Sequence, residues 1–406
     1  MTSFKDVVLL LHRWVGLITG LVVLTLSITG CLFVFQEEIS TWLHEDIYFA
    51  DEIPAGRQTL PIDQLQENAA DALNVDHLPF GITTHKDPGR NWSAMLYKGG
   101  LDSWTYFGSM EVYKTAYINP YNGEVEGIIN EKNDFFQVVK GIHWSLLLAT
   151  PVGQPIIVWS TVLFIILLIS GIILWWPKRW NRIGKKKSFK IKWGSTWRRI
   201  NYDLHNVLGF YFLAISLIIA FTGLYWYFPF VQKSLHFLGS GTYNLPPVSS
   251  QKVVSSVPED GKALSALNKA YSRTWREYPE AYSITFTAPT DSQGTIQATV
   301  RPDGQTYYNR STLQFDQYSG SLLAANSYQE KDSGEKLVAM NYDIHVGAIG
   351  GLPGKIIAFF ASLVCGSLPV TGFIIWWDRR KRSRSRERRV GERRKQPATP
   401  EEGVPA

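Results

Sequence analysis

Apolar residues are pooled in four long runs along the chain, Val7–Phe35, Ile156–Trp176, Phe210–Phe230 and Ile356–Trp377. A helix needs about 20 apolar residues to cross the hydrocarbon core of a bilayer. Each run meets that length, so the pattern predicts four transmembrane helices. Between the first and second runs, and again between the third and fourth, the pattern changes to short amphipathic stretches. Ile62–Leu73 has the spacing of an amphipathic helix. Strand-like alternation follows at Trp92–Tyr97, Trp104–Phe107 and Val112–Ile118, with a turn at Asn119-Pro120-Tyr121-Asn122-Gly123. Phe135–Leu148 reads as an interfacial helix, stopped by Pro151 and Pro155.

The second half follows the same plan. A Gly/Ser/Pro linker, Gly239–Pro258, leads to a helical stretch at Lys262–Trp275. Strand-like runs follow at Ser283–Ala288, Thr295–Arg301, Gln305–Tyr308 and Ser311–Phe315, with a turn at Asp316-Gln317-Tyr318-Ser319-Gly320. The chain thus reads as two tandem copies of helix, outer domain, helix, and parallel repeats of this kind imply a pseudo-two-fold axis along the membrane normal. The predicted fold class is a membrane all-α core of four transmembrane helices in two tandem pseudo-symmetric repeats, carrying α+β extracytoplasmic domains. The expected boundaries are 1–36 for the first transmembrane helix, 37–140 for the first outer domain, and 141–177 for an interfacial segment with the second helix. A basic loop takes 178–202, the third helix 203–230, the second outer domain 231–343, the last interfacial segment and helix 344–378, and a basic, disordered tail 379–406.

Charge sets the expected orientation. The chain carries 41 Lys and Arg against 35 Asp and Glu, but the excess is local. Pro177–Arg199 holds ten basic residues and no acidic one, and Arg379–Lys395 is rich in arginine. By the positive-inside rule both lie in the cytoplasm, as does the N-terminus with Lys5, and the large loops lie outside. The basic tail follows a membrane exit, so it reads as lipid-attracted and not as a nucleic-acid-binding arm. The first apolar run is too long for a cleaved leader, and Gln36-Glu37-Glu38 follows it where a small-residue cleavage site would stand. The two cysteines, Cys31 and Cys365, both fall in apolar runs and form no Cys-x-x-Cys-His motif, which excludes covalent c-type haem.

Histidines then carry the candidate chemistry. Leu11-His12-Arg13-Trp14-Val15-Gly16 opens the first apolar run, which reaches Thr29-Gly30. Leu204-His205-Asn206-Val207-Leu208-Gly209 opens the third, which reaches Thr222-Gly223. In both copies glycines follow the histidine by 4 and 18 residues. An ionisable ring within a membrane segment is a functional-site hypothesis by default. By the expected topology, His12 and His205 sit at the cytoplasmic ends of their helices, and His143 and His345 at the outer ends of the second and fourth. Each pair is related by the repeat, so each suits bis-imidazole ligation of one non-covalent haem b iron, one near each membrane face. Eighteen residues span about 27 Å on the same helix face. That places Gly30 and Gly223 where the outer macrocycle would need room, and Gly16 and Gly209 beside the inner one, with Gly171 and Gly372 relieving crowding from the other helices. The competing reading for each single glycine is close helix packing. Arg13 could pair with a haem propionate. His44 and His236 are the alternative outer ligands, with surface or headgroup contact as their ordinary role. His77 and His85 read as solvated. Trp92, Tyr97, Trp104, Tyr106 and Phe107 could dock a ligand, although alternating aromatics more often form a domain core.

At these motifs, together with Gly171…Trp175-Trp176-Pro177, Ile344-His345 and Thr371-Gly372…Trp376-Trp377, the chain resembles the PepSY-associated transmembrane family over Leu11 to Asp378. Ile62–Gly127 is similar to a PepSY domain, and Lys262–Ala324 resembles a more diverged copy. The resemblance implies an iron-uptake protein of the bacterial inner membrane, similar to siderophore reductases, with two haem b groups. Such a protein passes electrons from a cytoplasmic or quinol donor to a periplasmic ferric siderophore or other ferric chelate. Relatives with a fused flavin reductase domain differ from this chain, which has no Gly-x-Gly-x-x-Gly following a strand. Two other classes compete: a haem-free PepSY scaffold or protease-regulating protein, and a siderophore or iron permease component. The permease is disfavoured because four helices without a buried carboxylate make a poor ion path.

Overall fold

A computed structural model describes residues 3–50, 52–53, 58–75, 80–100, 102–177, 180–244, 253–255 and 264–395. The chain starts on α1 (Phe4–Phe33). Ser3 caps it: its Oγ accepts the Asp6 N–H and the Asp6 carboxylate accepts the Ser3 N–H, a reciprocal capping box. The helix resumes after a break as α2 (Gln36–Leu43). Further on come α4 (Phe135–Ser145) and α5 (Thr150–Trp175), after α3 (Ile62–Leu73) in the outer region. Later in the chain lie α6 (Trp197–Asp203), α7 (Leu213–Gly223), α8 (Pro229–Ser240), α9 (Leu264–Glu277), α10 (Ser333–Ala339), α11 (Asn341–Val346) and α12 (Gly351–Lys395).

Among the described residues three helices are long and apolar enough to cross a membrane, Phe4–Phe33, Thr150–Trp175 and Ala348–Ser383. Their outer faces leave side chains such as Ile18 and Leu21 exposed, as lipid contact requires. The third apolar run differs from the straight helix predicted for it. Trp197–Tyr211 and Leu213–Trp226 meet the criterion only together, and they are bent by 66°. Leu204–Leu208 is a π turn, and Phe212, at φ −93° and ψ 0°, leaves the helical region. The bend falls at Phe212, just past the π turn, where the helical hydrogen-bond ladder is interrupted. A second difference is the tail: α12 continues past the apolar run to Lys395, where disorder was expected from Arg379 onward.

The outer region holds β1 (Gly81–His85), β2 (Trp92–Gly99), β3 (Met110–Ile118), β4 (Val125–Ile129), β5 (Ser283–Thr287), β6 (Thr295–Arg301), β7 (Ser311–Asp316) and β8 (Leu322–Asn326). They do not form two domains. They form one antiparallel sheet of eight strands in the order β4-β3-β2-β1-β5-β6-β7-β8. β1 pairs with β5 in the register Gly81↔Thr287 to His85↔Ser283, so the free edge of each half-sheet covers that of the other. One face is apolar and buries Ile82, Trp92, Ile284, Phe286 and Phe315 beneath Ile62, Leu65 and Ala69 of α3 and Ala266 and Ala270 of α9. The opposite face is polar. Ser93, Thr83, Thr285 and Thr299 lie abreast on it, as do His85, Ser283 and Arg301.

Two predicted strands are absent. Thr105 makes an isolated bridge to Leu148, and Tyr106–Ser109 turns into helix. Asp303 holds Gln305 and Thr306 in a turn by accepting both backbone N–H groups, so Gln305–Tyr308 cannot extend into a ladder.

Candidate functional site

The bundle brings the predicted histidines together in pairs. The rings of His12 and His205 lie 6.5 Å apart, centre to centre, and nearly perpendicular at 86°. Those of His143 and His345 lie 6.2 Å apart at 68°. A metal–imidazole nitrogen bond is about 2.0–2.1 Å, as in zinc sites, so two such bonds plus two ring radii give roughly 6.3 Å. Both pairs have the spacing of two imidazoles on opposite sides of one metal.

Each ring is held the same way. His12 Nδ1 lies 2.8 Å from Ser170 Oγ, and His205 Nδ1 lies 2.9 Å from Thr371 Oγ1. His143 Nδ1 lies 2.9 Å from Thr29 Oγ1, and His345 Nδ1 lies 3.1 Å from Thr222 Oγ1. In every case the next residue is a glycine facing the ring edge. A methyl group on Gly171 would lie 3.7 Å from His12 Cε1, one on Gly372 3.3 Å from His205 Cε1, one on Gly30 3.7 Å from His143 Cε1, and one on Gly223 3.1 Å from His345 Cε1. A hydroxyl–glycine dipeptide is therefore the seat of each imidazole. The seats are built within a half of the chain, whereas the pairs form between halves. α1 carries His12 at one end and the seat of His143 at the other.

The seat settles the tautomer. Each hydroxyl also contacts the backbone carbonyls before it: Ser170 reaches Leu167, Thr29 reaches Thr25, Thr222 reaches Ile218, and Thr371 reaches Ser367. A carbonyl can only accept, so the hydroxyl proton goes there and the oxygen accepts Nδ1–H. The Ile219 carbonyl, 3.0 Å from His345 Nδ1, requires a proton on that nitrogen too. Nε2 then carries the lone pair. None of the four Nε2 atoms has a hydrogen-bond partner among the described residues. Fixing Nδ1–H in this way is how metal-ligating histidines are oriented.

The His12–His205 pair opens into a cavity of about 1160 Å³, above the ~300–1000 Å³ that holds drug-sized ligands. Its walls are largely apolar residues of α1, α5 and α12 and of the segment around the π turn, with Gly16 of α1 and Gly209 after that turn among them, and Lys5, Arg13, Arg379 and Arg380 stand around it. Arg13 lies over the Trp14 ring at 5.4 Å and makes no ion pair among the described residues. Gly30 and Gly223 each face the edge of an imidazole, His143 and His345 respectively. Gly16 and Gly209 do line the cavity, where added methyls would meet Leu167 at 3.8 Å and Leu368 at 3.5 Å.

Among the described residues no group of three or more His, Cys, Asp or Glu could hold a metal ion. Two facing imidazoles, an apolar slot and a cationic rim suit a flat metallo-macrocycle that brings further metal ligands and carboxylates of its own. The residues present at the His12–His205 pair therefore fit a haem, and the second pair repeats the axial arrangement.

The remaining histidines are placed differently. His236 is buried, with Nδ1 3.0 Å from the Thr242 carbonyl and Nε2 3.3 Å from Asp332. Nε2 joins α8 to the N-cap of α10 and Nδ1 ties the turn after α8, which accounts for it without a ligand. His44 packs against Tyr48, ring centres 5.8 Å apart, and is not paired with His236. His77 lies outside the described residues. His85 is not solvated: its Nδ1 is buried beneath the polar face of the sheet. Of the outer aromatics, Trp92 is core, while Tyr97 and Trp104 are exposed. Thr29, Ser170, Thr222 and Thr371 were missed from sequence, although their dipeptides stand in plain view at the ends of the apolar runs.

Residues 9–379 match the family model described as the PepSY-associated TM region. The match covers most of the chain, and the chain belongs to that family, as a multi-pass membrane protein. No curated protein matches it.

Proposed function

We propose that the chain is a di-haem b oxidoreductase of the bacterial inner membrane, which delivers electrons to a ferric siderophore or other ferric chelate on the periplasmic side and so releases iron. The observation that carries this reading is the pair of histidine pairs, each with ring centres 6.2–6.5 Å apart and each ring holding its proton on the hydroxyl-bound nitrogen. In the same reading the bent pair Trp197–Tyr211 and Leu213–Trp226 counts as the fourth span. The two halves are then tandem repeats, and both termini are cytoplasmic because Pro177–Arg199 is strongly basic.

A haem bound at each pair would supply a one-electron couple at each end of the bundle. The chain's own part is positional. His12 with His205, and His143 with His345, would hold the two groups through Nε2. Ser170, Thr371, Thr29 and Thr222 keep each ring from turning. Arg13, with Arg379 and Arg380, offers guanidinium groups to the carboxylates. The apolar walls exclude water, which limits proton leakage alongside electron movement. One electron from a quinol or cytoplasmic donor reduces Fe(III) of the chelate to Fe(II), whose hold on hard oxygen ligands is weaker. No protein acid or base is needed.

The test is an absorption spectrum of the detergent-purified chain. A Soret band, with resolved α and β bands after dithionite and about two haems per chain, is expected. A colourless protein would overturn the reading and favour the haem-free scaffold; transport of iron without its reduction would favour the permease.

A further inference from the structure

The polar face of the sheet is not bare. Between it and α2 lies a second cavity of about 290 Å³, lined by Glu37 and Thr41 of α2, by Tyr48, and by hydroxyl groups of the central strands. The side chains on it are arranged by register: Thr83 opposes Thr285 and Ser93, and His85 opposes Ser283, which opposes Arg301.

Three arginines enter this cavity, Arg90, Arg301 and Arg310. Arg301 is spoken for, since its Nη1 lies 3.3 Å from Glu37 and its other nitrogens donate to the carbonyls of Thr306 and Gly304. Arg90 donates to the Tyr282 hydroxyl at 2.8 Å and lies over three aromatic rings, with no carboxylate partner. The Arg310 guanidinium lies over Tyr307 at 5.6 Å and forms no side-chain hydrogen bond or ion pair among the described residues. Asp343 also acts on Arg310 electrostatically; its Oδ1 accepts the Tyr307 N–H at 2.7 Å. His85 completes the wall. Burial, with Arg90 and Arg301 nearby, pushes its pKa down to about 3, so it is neutral, and its buried Nδ1 has no partner.

We propose that this cavity is a binding site for a small polycarboxylate, held bidentately by Arg90 and Arg310, with hydroxyl donors of the sheet completing its hydrogen bonds. A planar guanidinium fork matches a carboxylate in geometry as well as charge. The volume excludes a large chelate but admits a citrate-sized molecule or one carboxylate arm of a larger one. The cavity is also joined to the His143–His345 pair. Rings pass from His345 to Trp226 at 5.6 Å, to Tyr342 at 6.4 Å and to Tyr307 at 5.1 Å, over which Arg301 sits at 4.2 Å. On the proposed reductase reading, which this link rests on, the site seats the anionic ligand of the ferric complex beside the outer pair.

Titration calorimetry of citrate into the full-length, detergent-purified chain tests the site, because the heat of binding does not depend on haem content. One citrate per chain is expected, with acetate far weaker. Arg310→Gln and Arg90→Gln should each weaken citrate about tenfold or more, and Arg310→Lys, which keeps the charge but not the fork, should fall between. Unchanged absorption spectra and melting temperatures show that the variants are folded. No citrate binding, equal affinity in Arg310→Gln, or tighter binding of phosphate than citrate would overturn the proposal. Citrate binding by a colourless protein would leave this site standing while the haem reading fails; the reverse result would sink only the site.

Discussion

The two histidine pairs share one construction and differ in what presents them. At the end far from the sheet, His12 comes from a long straight helix and His205 from a π turn, and the seats come from α5 and α12. At the sheet end the histidines come from the short helices α4 and α11, and the seats come from α1 and α7. Of the long helices, α1 alone supplies a paired histidine at one end and a seat at the other, while α5 and α12 supply seats only. The far pair opens to a large cavity rimmed by cations, whereas the near pair is packed by Trp226, itself against Trp144. What this teaches is that the seat, and not the element bearing the histidine, is the repeated unit of design.

The largest test of that comparison is to remove a ligand. His205→Ala is expected to lose about half of the haem by pyridine haemochromogen assay and to leave the near pair spectroscopically intact; His143→Ala should do the converse, while His44→Ala keeps both. Loss from His44→Ala and none from His143→Ala would break the pairing. A smaller effect is expected from the seat. Ser170→Ala frees the Nδ1–H of His12 and should weaken haem affinity about 10–100-fold at that pair only, read by haem transfer to apomyoglobin, whereas Thr222→Val leaves the Ile219 carbonyl on His345 Nδ1 and should do less; loss at both pairs would show that the seats are not local. The smallest effect separates the glycines. Gly223→Ala puts a methyl group 3.1 Å from His345 Cε1, but Gly30→Ala leaves 3.7 Å, an ordinary contact. The first should lower stability by about 1–3 kcal/mol and the second by much less, as read by thermal melts. Equal losses would mean that the rings move freely.

How far the sequence could reveal this follows from the range of each interaction. Ile62–Leu73 and β6 and β7 were legible because burial of one face writes a local period into the residues. The short strands β1, β4 and β8 carry too few alternations to stand out. The pairing of β1 with β5 leaves no local mark at all, so one sheet read as two domains. The bend at Phe212 was hidden because an apolar run stays apolar whether or not its helix is straight. Of the four paired histidines, His12 and His205 were legible from their repeated spacing to glycines, and His143 and His345 from their matched places at the outer ends of the second and fourth runs. Their seats were half-read, since Thr29-Gly30 and its counterparts were noticed for the glycine alone, and the hydroxyl matters only once a histidine some hundred or more residues away comes beside it, as His143 does 114 residues from Thr29. His85 was misread because its burial depends on α2 and Arg301, both distant in the chain.

The seam between β1 and β5 also bears on how the chain is made. Thr83 and Thr285, which share a side-chain hydrogen bond across the seam, are 202 residues apart. At about 5–20 residues per second a ribosome needs roughly 10–40 s to cover that distance. Throughout that interval β1 is an unpaired edge, and α3 lacks the Asn268 side chain that later accepts the Ile62 N–H. Such an edge invites pairing with another chain. Biogenesis of this protein therefore includes a waiting period, during which the first half of the sheet is inserted at the membrane but unfinished.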